Sequence, residues 1–178
     1  ALSPLPMCWF VIVKPPVAHS TAVMFRKLDE ITIANRPDSD AMAKALEIGD
    51  LAHICRLVGN VFEQALPEDS EVFTIRRQLS RLGAAAACMT GSGSAVMGLF
   101  RREETARLAA RELENAYPLT FLAPRLGNRY KIRKHRPYCR KFLHRTVFLY
   151  EKIAFSILGA GAAAGLGRDH SVGGGVPG

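Results

Sequence analysis

Two short apolar runs on either side of a glycine-serine segment constrain the fold of this chain more than any other feature. Residues 84–90 are small and mostly apolar, residues 95–100 form a second apolar run, and Gly91-Ser92-Gly93-Ser94 separates them. Apolar runs of this length joined by a glycine turn are typical of two antiparallel strands. The pattern therefore predicts a β-hairpin, and the rest of the chain must be compatible with a sheet that contains it.

Two more apolar runs and several helical stretches complete the predicted order of elements. Trp9 to Val13 is a continuous aromatic and β-branched run, and Leu119 to Leu122 is a shorter closing run. Helical patterns are predicted for the stretches 20–28, 38–48, 51–66, 69–82 and 103–116. The order is β, three or four helices, β-turn-β, α, β. It predicts an α+β fold, a ferredoxin-like four-stranded sheet with helices on one face and extra helices added.

The positive charge of the chain is concentrated after residue 124. Residues 1–124 contain 13 Lys and Arg against 14 Asp and Glu, whereas residues 125–178 contain 11 against 2. We expect residues 1–124 to form the domain, and residues 125–178 to be a basic, then Ala/Gly-rich tail that is disordered or foreign to it. Because residues 1–124 are nearly neutral, we expect no nucleic-acid partner. The uncharged stretch 153–166 is shorter than the roughly 18 residues of a membrane span, so we expect no membrane contact.

The four cysteines are far apart in the sequence, with no Cys-x-x-Cys pair. This spacing excludes a disulfide scaffold and a Cys-type zinc site, and it favours a reducing cytoplasm. Cys88 stands among small residues and is expected to fill the core. The acidic residues at the predicted helix starts complement the helix dipole and require no metal.

The glycine-serine segment is also the first candidate for a binding site. Two glycines separated by one residue let the backbone turn tightly and present N–H groups to a phosphate. The segment is neither a Walker A loop, since no Lys-Ser/Thr follows, nor a Rossmann fingerprint, since a strand follows instead of a helix. A plain hairpin turn is the alternative interpretation.

A second candidate site lies where the first strand gives way to a helix. Residues 14–16, Lys-Pro-Pro, end the strand, and the hydroxyl of Thr21 stands at a helix start that favours anions. Phe25, one turn farther, either packs in the core or presents its ring to a base. Asn60 is expected to hydrogen-bond a neighbouring backbone segment, and Glu63 to be a solvated or intrahelical charge.

Three segments together resemble a known enzyme family. WFVIVKPPVAHSTAVMF (9–25), GNVFE (59–63) and ACMTGSGSAVMGLF (87–100) occur in that order. With them, residues 5–124 resemble the C-terminal half of the 4-diphosphocytidyl-2-C-methyl-D-erythritol kinase family. That family is part of the galactokinase–homoserine kinase–mevalonate kinase superfamily.

The resemblance implies a reaction and a role for each candidate site. The reaction is the ATP- and Mg²⁺-dependent phosphorylation of the 2-hydroxyl of a small molecule, a cytidine-diphosphate methylerythritol, in non-mevalonate isoprenoid biosynthesis. Thr21 and Phe25 would bind the substrate, with Phe25 stacking on its cytosine. The Gly91–Ser94 segment would support the loop that holds the nucleotide phosphate.

The same resemblance identifies family features that the printed residues do not include. The Gly-rich ATP loop, the catalytic lysine and the catalytic aspartate of the family precede the matching region, and none is among these 178 residues. We therefore expect part of a kinase, with no catalytic residue and no metal ligand, that is inactive alone. The alternatives are a kinase of the same superfamily with another small alcohol as substrate, and a stand-alone ferredoxin-like binding module.

A chain that ends at Pro124 should unfold cooperatively at a Tm no lower than that of the full chain. The reason is that the tail carries most of the positive charge and its apolar stretch has neither helical nor strand periodicity. Differential scanning calorimetry of the two chains tests this. A loss of several degrees would show that the tail packs on the domain.

Overall fold

A four-stranded sheet forms the centre of the computed structural model, which describes residues 3–125. The strands are β1 (Trp9–Val13), β2 (Ala86–Met89), β3 (Val96–Phe100) and β4 (Thr120–Pro124). They lie in the order β2-β3-β1-β4, and every neighbouring pair is antiparallel. The predicted hairpin and the ferredoxin-like α+β class are confirmed. Residues 126–178 of the predicted tail (125–178) lie outside the described residues.

Helices connect the strands largely where the sequence predicts them. They are α1 (Thr21–Asp29), α2 (Ser39–Ile48), α3 (Leu51–Leu57), α4 (Glu71–Arg81), α5 (Glu103–Ala116) and a 3₁₀ helix (Val61–Ala65). Asp38 caps α2 and Asp50 caps α3, each by accepting a backbone N–H three residues on, at 2.8 and 3.0 Å. Gly49 ends α2 with φ 74°, a left-handed conformation that favours glycine. Among residues 3–125, no helix has both the length and the apolar character needed to cross a bilayer.

The prediction of one continuous helix over 51–66 is wrong. The helix stops at Leu57, and Val58 and Asn60 are extended before the 3₁₀ helix begins. Asn60 leaves the helical conformation because its side chain bonds the backbone of another segment, as described below. Tertiary hydrogen bonds here override an apolar spacing that is compatible with a helix.

Helices cover both faces of the sheet, which differs from the expected single layer. Val11 and Val13 of β1 belong to a core with α4 and α5, whereas Phe10 and Ile12 belong to a second core with α2 and α3. All four side chains are buried. The reason is visible in β1 itself, because a continuous apolar run needs cover on both faces of its sheet.

Gly98→Ala should lower the free energy of unfolding by about 1–3 kcal/mol, the usual range for overpacking a core. An added Cβ at Gly98 in β3 would lie 2.8 Å from Leu79 Cδ2 of α4 and 3.1 Å from Phe100 Cε2. Leu79 and Phe100 are fully buried and have little room to move. Urea denaturation measures the change.

Gly59→Ala is the matched control for this substitution. A Cβ at Gly59 would have no atom within 4 Å. We expect its stability to be unchanged or slightly higher. Equal stability of the two variants would contradict the close packing of α4 on β3.

Candidate functional site

The glycine loop, defined as Gly91–Ser94, connects β2 to β3 in a compact turn. Gly91 has φ 54° and Gly93 has φ 96°, both in the left-handed region, and the peptide bond between Gly93 and Ser94 is cis. The Thr90 amide donates to the Ala95 carbonyl at 2.8 Å and closes the turn. The predicted need for glycine at these positions is therefore met by the backbone conformation.

Gly93 is required for a steric reason as well. A Cβ at this position would lie 2.6 Å from Met89 Sδ and 2.9 Å from His19 Cδ2. Met89 is the last residue of β2, and His19 belongs to the segment between β1 and α1. The loop, which is the first candidate site, is thus packed against the segment that holds the second.

Lys14 ties the loop to the end of β1. Its ammonium donates to Ser94 Oγ and the Val17 carbonyl, both at 2.6 Å, and to the Pro15 carbonyl at 3.1 Å. Ser94 Oγ in turn donates to the Val17 carbonyl, and Ser94 is only 1% exposed. Burial lowers the pKa of Lys14. Because its three donors are used within the protein, Lys14 positions the loop, a role that the sequence analysis did not assign to it.

Thr21 joins the start of α1 to the same loop. Its Oγ1 and the Oγ of Ser92 share a hydrogen bond of 2.9 Å. Thr21 is exposed, whereas Ser92 is buried. The side chains of Ser92 and Ser94 therefore brace the loop from inside, and they connect it to the helix that carries Phe25.

Phe25 is open to solvent and not packed in the core. The residue is 48% exposed, and its ring meets the ring of Phe62 edge-on, with centroids 5.0 Å apart and planes at 86°. An edge contact of this kind is a favourable aromatic geometry. The ring is thus held in one orientation while part of its surface remains available to a ligand.

Asn60 supports the loop from the side opposite Lys14. Its Nδ2 donates to the carbonyls of Met89 and Gly91 at 2.7 and 2.8 Å, and its Oδ1 accepts the Phe62 amide at 3.0 Å. The predicted bonding of Asn60 to a neighbouring backbone segment is confirmed. One side chain therefore fixes both the strand end and the first residue of the loop.

Glu63 contradicts the prediction of a solvated or intrahelical charge. Its side chain is only 10% exposed, and it accepts the Met89 amide and an Arg76 Nη1 proton, both at 2.6 Å. Burial raises the pKa of this carboxyl, while Arg76 and the Met89 N–H act in the opposite direction. The 3₁₀ helix directs Glu63 towards the backbone of β2, a placement for which helical spacing gives no signal.

The remaining polar candidates near the site show no sign of acid–base or metal chemistry. Partial burial lowers the pKa of His19, and the charges of Lys14 and Lys27 lower it further, so its neutral form is favoured. Burial raises the pKa of Cys88 to about 12, as suits the core position predicted for it. Within residues 3–125, no three His, Cys, Asp or Glu side chains are grouped so that they could hold a metal ion.

Comparison with known sequences identifies relatives of this arrangement. Residues 42–119 match the family described as GHMP kinases C terminal. The 4-diphosphocytidyl-2-C-methyl-D-erythritol kinase of Geobacillus kaustophilus (strain HTA426) is 41% identical over 128 residues, which are 71% of this chain and 44% of that protein. The enzyme of the same name from Geobacillus thermodenitrificans (strain NG80-2) is 39% identical over 132 residues, 74% of this chain and 45% of that protein. The chain thus spans somewhat less than half the length of these relatives.

Solved structures share the fold. A crystal structure of 4-(cytidine 5'-diphospho)-2C-methyl-D-erythritol kinase matches with a TM-score of 0.55 and 26% identity, over 70% of this chain and 45% of the other. The L. major mevalonate kinase, solved in complex with R-mevalonate, matches with a TM-score of 0.58 and 17% identity, over 72% and 45%. The second likeness concerns the fold alone.

Proposed function

We propose that this chain, whose residues 42–119 match the family described as GHMP kinases C terminal, is the C-terminal part of an ATP-dependent kinase. The proposed substrate is 4-diphosphocytidyl-2-C-methyl-D-erythritol, phosphorylated on its 2-hydroxyl in non-mevalonate isoprenoid biosynthesis. The observation that carries this proposal is the hydrogen bond between Thr21 and Ser92. This bond connects the glycine loop to the helix that carries an exposed aromatic ring. The ring suits the base of a cytidine substrate, and the tight turn of the loop suits the phosphates of ATP.

Phe25 is the residue proposed to recognise the cytosine. Its ring is half exposed and is held at its edge by Phe62, so a base can stack on the open part. Stacking of a base on an aromatic side chain is worth about 1–3 kcal/mol. Thr21 is exposed and lies one helical turn before Phe25, so it is proposed to contact the same substrate.

The glycine loop is proposed to support the phosphate end of the nucleotide. The Ser92 and Ser94 side chains are engaged inside the protein, so they support the loop and do not themselves contact the ligand. Lys14 adds a positive charge beside the loop, and the start of α1 adds its dipole, so both favour an anion.

ATP with Mg²⁺ supplies the phosphoryl group when it is bound. Phosphoryl transfer depends on positioning and on stabilisation of charge. Residues 3–125 contain no cluster of potential metal ligands, so the contribution proposed for this part of the chain is to position the substrate and the loop.

Further observations support the proposed substrate and setting. The names of the Geobacillus relatives support the cytidine substrate over the alcohols of other GHMP kinases, which are similar in fold alone. Cys8, Cys55 and Cys88 are free thiols, which supports a reducing compartment such as the cytoplasm. We propose residues 1–124 as the domain that performs this role.

The 178-residue chain alone should show no kinase activity. The ATP loop, lysine and aspartate implied by the family resemblance are not among its residues, and without them the transferred phosphoryl group has no charge stabilisation. A coupled assay of ADP release with Mg²⁺-ATP and the cytidylated substrate measures turnover, with the intact Geobacillus kaustophilus relative as the positive control. Turnover well above background would contradict this expectation.

Two substitutions should have separate effects in a chain restored with the N-terminal part of the Geobacillus kaustophilus relative. Phe25→Ala should weaken binding of the cytidine substrate by about 1–3 kcal/mol and leave ATP affinity unchanged. Gly93→Val should lower turnover and ATP affinity, because the loop needs φ 96° and has no space for a Cβ. Steady-state kinetics with each substrate varied in turn separates the two effects.

Val23→Ala is the control for Phe25→Ala. It removes another exposed apolar side chain from α1, and it should leave both affinities unchanged. If Phe25→Ala lowers only the Tm, Phe25 has no role in binding the base. If Gly93→Val keeps normal turnover, the glycine loop is a hairpin turn and nothing more.

A further inference from the structure

The strand that leads into the glycine loop lies at an open edge of the sheet. β2 is the first strand in the order β2-β3-β1-β4, so among residues 3–125 no strand pairs with its outer side. Edge strands present unpaired N–H and C=O groups, which proteins usually cover or blunt. In β2 these groups belong to Ala87 and Met89, the residues whose backbone atoms bond side chains instead of a strand.

Three side chains occupy the place of the missing strand. Arg76 Nε donates to the Ala87 carbonyl at 3.0 Å, and Glu63 Oε1 accepts the Met89 amide at 2.6 Å. A further bond, from Arg76 Nη1 to Glu63 Oε2 at 2.6 Å, joins these two side chains to each other. Asn60 continues along the same edge by donating to the carbonyls of Met89 and Gly91.

The spacing of these contacts is that of a paired strand. The bonded backbone groups lie on residues 87, 89 and 91, every second residue, as expected for groups that face the same side of a strand. We call Asn60, Glu63 and Arg76 the edge clamp. It extends past the end of β2 and includes a hydrogen bond to the carbonyl of Gly91, the first residue of the loop.

Burial of the charged groups of the edge clamp costs hydration free energy. The Glu63 side chain is 10% exposed and that of Arg76 37%, so the carboxylate gives up most of its hydration. Two charge-assisted bonds compensate for that loss only when both partners are in place. Exposed charges alone could protect an edge, so we looked for a further role of the clamp in its contacts with the loop.

We propose that the edge clamp sets the position of the glycine loop, and that Glu63 and Arg76 are positioning residues for the phosphate end of the nucleotide. They act through Met89, whose thioether lies against the position where Gly93 would carry a Cβ. A shift of Met89 therefore displaces the turn of the loop. The consequence for nucleotide binding rests on the proposed function, whereas the mechanical role of the clamp does not.

Amide hydrogen exchange in the full 178-residue chain tests the mechanical role. The reporters are the amides of Met89, Thr90 and Gly93, each of which donates a hydrogen bond in or beside the loop. The internal reference is the Ala85 amide, which donates to the Leu99 carbonyl at the opposite end of the hairpin. Relative to this reference, Glu63→Ala should accelerate exchange of the reporters by about tenfold or more, as expected for a local opening.

Conservative variants keep the test decisive if Glu63→Ala fails to fold. Glu63→Gln retains an oxygen for the Met89 amide but loses the charge, and Arg76→Lys retains the charge but loses the fork that reaches two acceptors. Both should give exchange rates between those of the unchanged chain and Glu63→Ala. Glu103→Ala is the matched control, because it breaks the ion pair with Arg107 on α5 and should change none of the ratios.

The inference is overturned if the ratio of reporter exchange to Ala85 exchange in the Glu63 and Arg76 variants is the same as in the unchanged chain. Kinetics of the restored kinase then test the proposed function separately. Glu63→Gln should raise KM for ATP several-fold and leave KM for the cytidine substrate unchanged. If the loop amides exchange faster but KM for ATP does not rise, the clamp holds the loop as inferred, and the proposed phosphate role of the loop is wrong.

Discussion

Burial of β1 on both faces is the constraint on which the rest of the structure depends. The strand lies inside the sheet, and its side chains enter two separate cores on alternate residues. Each face therefore needs its own helices, and α2 and α3 supply the second layer. The register then fixes the site. Because Val13 pairs with Val96, the residue after β1 lies level with the glycine loop, and Lys14 reaches Ser94.

The strands and most helices could be predicted because their signals are local. β1 and α5 occupy the predicted residues, and the hairpin forms at the predicted glycine turn. The predicted helix over 51–66 stops at Leu57, and Asn60 is extended because its side chain donates to two carbonyls distant in the sequence. The second helical layer was not foreseen, although the continuous apolar character of β1 could have indicated it.

The candidate site was predictable in its parts and not in its connections. Thr21, Phe25 and the glycine loop were identified as separate segments, and the structure brings Thr21 within hydrogen-bonding distance of Ser92. The bracing roles of Lys14, Glu63 and Arg76 had no local signal, since an isolated charge in a sequence does not reveal its partner. A buried carboxylate paired across elements can be recognised only once the fold has brought those elements together.

The hydrogen bonds that join α1 and its preceding segment to the loop also determine when the site can form. The contacts of Lys14 and Thr21 with the loop serines connect residues 80 and 71 positions apart in the chain. Contacts of such high sequence separation form only after the intervening chain has been ordered, because closing a long loop costs entropy before the contact repays it. The helices and the hairpin, by contrast, depend on neighbours in sequence. We therefore expect the site to assemble late in folding, after the hairpin has formed.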